Sequence, residues 1–130
     1  MLGLKQMFIV ALGGAIGSVA RYKFGGFALH HTQSWNFPVS TFSVNVIGCF
    51  VIGVLTYLAE ARGLFSAELR VFLVIGILGG FTTFSSFGND TVNLWRAGRE
   101  GRALLNVGAQ LLLGLGAVWL GRMLARQFGG

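Results

Sequence analysis

The stretch Val71-Phe-Leu-Val-Ile-Gly-Ile-Leu-Gly-Gly-Phe81, continued by Thr82-Thr-Phe-Ser-Ser-Phe87 and then Asp90, decides how this chain is read. Its first part is apolar enough for the interior of a bilayer. Its middle joins two adjacent glycines to a run of hydroxyls, which predicts a membrane-spanning helix interrupted at Gly79-Gly80. In lipid, unwound backbone is tolerated only where it is buried in protein or lines a cavity. Such breaks leave free carbonyls and half-helix ends near the bilayer midplane, where ions are held. The segment points to a small membrane protein that handles an ion.

The rest of the chain fits that setting. Of its 130 residues 54% are apolar and only 11% charged, where a soluble domain carries about 25% charged residues. Asp, Glu, Lys and Arg are absent from 6–20, 24–59, 71–89 and 103–121. A helix needs roughly 20 mostly apolar residues to cross the hydrocarbon core. Four spans follow, at about 4–29, 39–59, 70–95 and 103–122. They predict an all-α membrane protein, with residues 1–130 as one four-helix transmembrane domain. A signal peptide is the competing reading of the N-terminus, with Met7 to Ile16 as its apolar region and Ser18-Val-Ala20 as its cleavage site. Gly13-Gly-Ala-Ile-Gly17 suits a packed helix better. Cys49 stands alone inside the second span, so no intrachain disulfide can form.

Charge placement says more than the net +6. Four spans put Lys5, Arg62, Arg70, Arg122 and Arg126 on one side, and Arg21, Lys23, Arg96, Arg99 and Arg102 on the other. The positive-inside rule takes orientation from the difference between sides, and here that difference is zero. A chain without bias inserts both ways round, which permits an antiparallel homodimer. The arginines flank the spans at lipid headgroup level, and no basic groove or aromatic platform lies outside them, so nucleic acid is not an expected partner.

Each span carries polar groups that need a reason. Gly13, Gly17 and Arg21 share one face of the first; the glycines allow close helix approach, and Arg21 is a candidate cation at the mouth of an anion path. In the second, Asn45 lies one turn beyond Thr41 and is a candidate donor facing a pore. In the third, Thr83, Phe84, Phe87 and Asp90/Thr91 follow one helical face, with Ser85 and Ser86 between them. A phenyl ring has a positive edge, so such edges can line an anion path without fixed charge. In the fourth, Arg102, Asn106 and Gln110 form a polar stripe entering from one end. Trp35, Trp95 and Trp119 fall near span ends, as interfacial aromatic belts do.

Three strings stand in order: Gly13-Gly-Ala-Ile-Gly-Ser-Val-Ala-Arg21, Ser40-Thr-Phe-Ser-Val-Asn45-Val-Ile-Gly48 and Gly76-Ile-Leu-Gly-Gly-Phe-Thr-Thr-Phe-Ser-Ser-Phe87. On these the chain resembles, over essentially its whole length, the small dual-topology fluoride channels called Fluc or CrcB. The resemblance implies an antiparallel homodimer with two pores in the bacterial inner (plasma) membrane, letting fluoride leave the cytoplasm passively. It also implies a structural sodium ion at the dimer centre, held by the backbone carbonyls of Gly79 and Thr82 from both subunits. Phe84 and Phe87 would edge the fluoride path, with Thr83 and Ser86 beside them and Asn45 donating to the anion. Asn106 falls where the family has a polar residue facing the pore, and Arg21 matches its arginine at the end of the first helix. One departure is visible: many members read Phe-Ser-x-Glu where this chain reads Phe87-Gly88-Asn89-Asp90.

Small proton-coupled cation or drug exporters of dual topology are the alternative of similar size. Their chemistry needs an intramembrane carboxylate, usually in the first helix. This chain has no acid before Glu60, and Asp90 is the one candidate inside a span.

Overall fold

The computed structural model describes residues 3–35 and 37–129. Its helices are α1 (Leu4–Thr32), α2 (Val39–Arg62), α3 (Ala67–Arg70), α4 (Gly79–Phe81), α5 (Phe84–Arg96) and α6 (Glu100–Gly129). A π-helical segment, Val71–Leu78, joins α3 to α4. Four helical stretches, Leu4–Trp35, Val39–Arg62, Ala67–Arg96 and Glu100–Phe128, are long and apolar enough to cross a membrane. At about 1.5 Å per residue each exceeds the ~30 Å hydrocarbon core, and a helix satisfies its own backbone groups there.

The connections obey local rules. Pro38 precedes α2, and Gly63 ends it with a φ of 59°, a left-handed conformation that suits a residue without Cβ. Ser66 caps α3, its side chain accepting from the Leu69 N–H.

Two seams hold the bundle. α1 packs on the π segment and α4, and α2 packs along α6. In the first seam a Cβ on Gly13 would lie 2.7 Å from the Phe72 carbonyl oxygen, and one on Gly17 would collide with the Ile77 carbonyl. In the second, a Cβ on Gly53 would collide with the Val118 carbonyl, and one on Gly121 with the Phe50 carbonyl. The glycines of both seams let backbones touch where lipid tails offer no hydrophobic drive to association.

The third span breaks at Thr82-Thr83, not at the Gly79-Gly80 pair expected from the sequence. Gly79 keeps helical angles (φ −61°, ψ −36°), whereas Thr82 has ψ 157° and Thr83 has φ −154° and ψ 119°. Gly80 serves contact instead: a Cβ there would stand 2.6 Å from the Gly14 carbonyl oxygen. The threonines unwind because side chains take over their backbone groups, as the site shows.

Candidate functional site

At the break, two hydrogen bonds that a continuous helix would make are replaced. A helix would give the Thr83 N–H to the Gly79 carbonyl and the Ser86 N–H to the Thr82 carbonyl. Here the Thr83 N–H donates to Asn45 Oδ1 at 2.9 Å, and the Ser86 N–H donates to Thr83 Oγ1 at 3.2 Å, which caps α5. The substitutions release the carbonyls of Gly79 and Thr82 from their helical donors. Bare carbonyl oxygens are the ligands a hard cation takes, so this donor set fits a monovalent or divalent hard ion and no soft one.

Asn45 reaches the break from α2. Its Oδ1 takes the Thr83 N–H, and its Nδ2 donates to the Thr83 carbonyl at 3.0 Å. The same Nδ2 also donates to Gln110 Oε1 on α6 at 3.0 Å. Both amide hydrogens of Asn45 are therefore engaged within the protomer, a use that competes with donation to an anion. Beyond Gln110 the bonds continue. Gln110 Nε2 donates to Asn106 Oδ1 at 3.0 Å, and Asn106 Nδ2 to Thr91 Oγ1 at 2.9 Å. The Thr91 hydroxyl closes the row on the Phe87 carbonyl at 2.8 Å. Asn106 is fully buried (0% exposed), and each of its amide groups has a partner. Burying an amide without partners would cost about 1–3 kcal/mol.

A cleft of about 400 Å³ opens beside this row. Its polar walls are Asn45, Thr82, Thr83 and Gln110, its aromatic walls Phe84 and Phe87, and among the described residues no charged one lines it. The two rings lie 5.4 Å apart, centre to centre, tilted by 53°. Phe84 is 81% exposed on the protomer, so its ring faces outward from the bundle at the rim of the cleft. Three hydroxyls cluster at the start of α5: Thr83 Oγ1 lies 3.0 Å from Ser85 Oγ and donates to Ser86 Oγ at 3.4 Å. Two contacts among three hydroxyls leave one hydroxyl hydrogen of the cluster for an outside acceptor.

The expected residues thus fall into three sets. Asn45, Thr83, Phe84, Phe87 and the backbone of Gly79 and Thr82 meet at the cleft, and Ser86 joins through Thr83. Asn106 sits behind Gln110 and does not line the cleft. Arg21, on α1, is not among the lining residues, and Asp90 lines a different hollow with Pro38, Asn93 and Arg99. Gln110 is the residue whose place at the centre the sequence signalled only as the third member of a stripe. Asn106 and Gln110 were visible as one stripe and Thr91 by itself; their joining across α5 and α6 was not.

Comparison with known proteins agrees with this architecture. Residues 8–122 match the family model described as CrcB-like protein, Camphor Resistance (CrcB). The fluoride-specific ion channel FluC of Methylobacillus flagellatus is 47% identical over 122 residues, covering 94% of this chain and 95% of the relative. The proteins of the same name from Parabacteroides distasonis and Thermus thermophilus are 46% and 44% identical, each over at least 92% of both chains. The chain belongs to the CrcB-like family.

Proposed function

We propose that this chain is a fluoride-selective ion channel, a multi-pass protein of the bacterial plasma membrane that lets fluoride leave the cytoplasm down its electrochemical gradient and so lowers its toxicity. The observation that carries the reading is the uncharged cleft, with hydroxyl and amide walls and two phenyl rings at its edge. Fluoride is small and strongly hydrated, so a selective path must replace water with well-placed donors yet hold the ion weakly enough for exit. A lysine or arginine in the cleft would oppose exit. Ring edges and a hydroxyl hydrogen provide donors of the weaker kind. Passive permeation makes and breaks no covalent bond, so no catalytic group is called for.

The residues in this path are Phe84 and Phe87 as ring-edge donors and Ser86 as the hydroxyl donor, with Thr83 holding Ser86 through its own hydroxyl. Asn45 shapes the wall beside Thr83, and Asn106 supports that wall from behind. Arg21, the helix-end cation, belongs to the approach from the membrane surface. Residues 1–130 act as one four-helix unit, paired with a second copy inserted the opposite way round. The equal division of lysines and arginines between the two sides supports that pairing. A structural sodium ion at the centre of the pair would be held by the Gly79 and Thr82 carbonyls of both copies. Their release from helical donors by Asn45 and Thr83 supports the assignment. When bound, the ion would supply a positive charge and satisfy carbonyls that are costly to leave bare in hydrocarbon.

The test is fluoride efflux from liposomes holding the purified protein, read by a fluoride electrode with potassium and valinomycin balancing charge. Fast fluoride release with chloride retained is the expected result, and Phe84→Ile should nearly abolish it while the dimer persists. Retention of both ions in sodium buffer would reject the fluoride reading and make Asp90, with cation export, the next subject.

A further inference from the structure

The row of amides between α2 and α6 has a direction, and one residue transmits it. A backbone N–H can only donate and a backbone carbonyl can only accept. Thr83 presents both to Asn45, which fixes Oδ1 on the N–H and Nδ2 on the carbonyl. The second Nδ2 hydrogen then points at α6, where only an acceptor fits. Gln110 meets it with Oε1, which turns Gln110 Nε2 toward Asn106 Oδ1. Asn106 is left with Nδ2 facing Thr91 Oγ1, and the Thr91 hydroxyl hydrogen goes to the Phe87 carbonyl. Turning Gln110 alone would set two donors face to face at one end and two acceptors at the other.

We infer that Gln110 is a positioning residue for the ion path: it takes the second amide hydrogen of Asn45 and so holds Asn45 as a clamp on the unwound Thr83 peptide. Without Gln110, Asn45 has a hydrogen to place elsewhere and loses its fixed orientation. The Thr83 N–H then loses its steady acceptor and opens to water more often, and the unwound peptide is no longer held in one position. The effect on transport rests on the fluoride reading above. The clamp itself rests on hydrogen bonds that do not depend on which ion passes.

Two variants test it. Gln110→Met keeps the length and removes both hydrogen bonds. Gln110→Glu, when ionised, accepts from Asn45 but cannot donate to Asn106. Once protonated, it offers one acceptor and one O–H donor, as glutamine does in this row. The two states are compared by lowering the pH. Both variants would be compared with the unaltered protein by fluoride efflux, with protein-free liposomes subtracted, from about pH 7.5 to about pH 5.5. In parallel, amide hydrogen exchange would be followed in the peptide containing Thr83. Gln110→Met should slow efflux and speed exchange at Thr83, each by about tenfold, the scale of one ordinary hydrogen bond. Gln110→Glu should be slow at neutral pH and recover in acid, while the unaltered protein stays level. Wild-type exchange and efflux in Gln110→Met would overturn the inference, as would a level pH profile in Gln110→Glu. If the unaltered protein releases no fluoride, the fluoride reading fails, and exchange at Thr83 alone decides for or against the clamp. Should Gln110→Met fail to fold, the closer-shaped Gln110→Glu decides.

Discussion

The two halves of the third span are held in opposite ways. From Val71 to Phe81 the chain is apolar and fits α1 through backbone contacts at Gly13, Gly17, Gly76 and Gly80. From Phe84 to Arg96 it is an amphipathic helix tied by hydrogen bonds, to Asn45 just before its start and to Asn106 near its middle. Glycine contact is steric and absolute, because a single methyl has nowhere to go. The hydrogen-bonded half is specified by direction, and a residue of the right size but wrong polarity would undo it. A span built of both kinds can be rigid on one side of its break and selective on the other.

Adding bulk to the steric half should have the largest effect. Gly17→Val places its Cβ against the Ile77 carbonyl, where only backbone can give way. It should cost about 3 kcal/mol, and size-exclusion chromatography should show aggregate instead of a single peak. Next comes the polar half. Asn45→Leu strands the N–H of Thr83 and takes a second donor from its carbonyl, at about 1–3 kcal/mol for the group left unpaired. Its efflux should fall to the protein-free background, whereas Asn45→Gln, which keeps the amide, should retain part of the flux. If Asn45→Leu conducts normally, the contrast between the halves collapses. A smaller loss is expected from Thr83→Ala, which removes the α5 cap for about 1 kcal/mol and should lower the melting temperature in detergent slightly. Thr83→Ser should restore it. Smallest is Arg122→Met, which touches neither the glycine seam of α1 nor the amide row. Arg122 bonds Thr56 at 3.1 Å and Glu60 at 3.0 Å, with Glu60 61% exposed at its side chain, so the loss should stay below about 1 kcal/mol and leave efflux untouched.

Much of this was readable from residue order because a bilayer writes its demands plainly. Charge-free stretches mark the spans, and Gly13-x-x-x-Gly17 marks the seam that α1 makes. The family strings marked Asn45, Phe84 and Phe87. The position of the break was misjudged because adjacent glycines resemble a weak point in a helix. In this setting they are a place of contact, and the unwinding is imposed from 38 residues away, by Asn45 on Thr83. The engagement of both Asn45 hydrogens was hidden for the same reason. It depends on α2, α5 and α6 meeting at one point, and no spacing within a helix reports that. The π segment Val71–Leu78 had no sequence signal either, since its residues are ordinary membrane apolars.

The fixed direction of the amide row bears on how the protein responds to electrical potential. Amide dipoles aligned head to tail, from Thr83 through Gln110 to Thr91, give one protomer a built-in polarity. In the antiparallel pair proposed above, these polarities would oppose each other across the bilayer. A voltage that favours one row disfavours the other by the same amount, so the pair presents no preferred sign, and current should rise equally for either direction of applied potential.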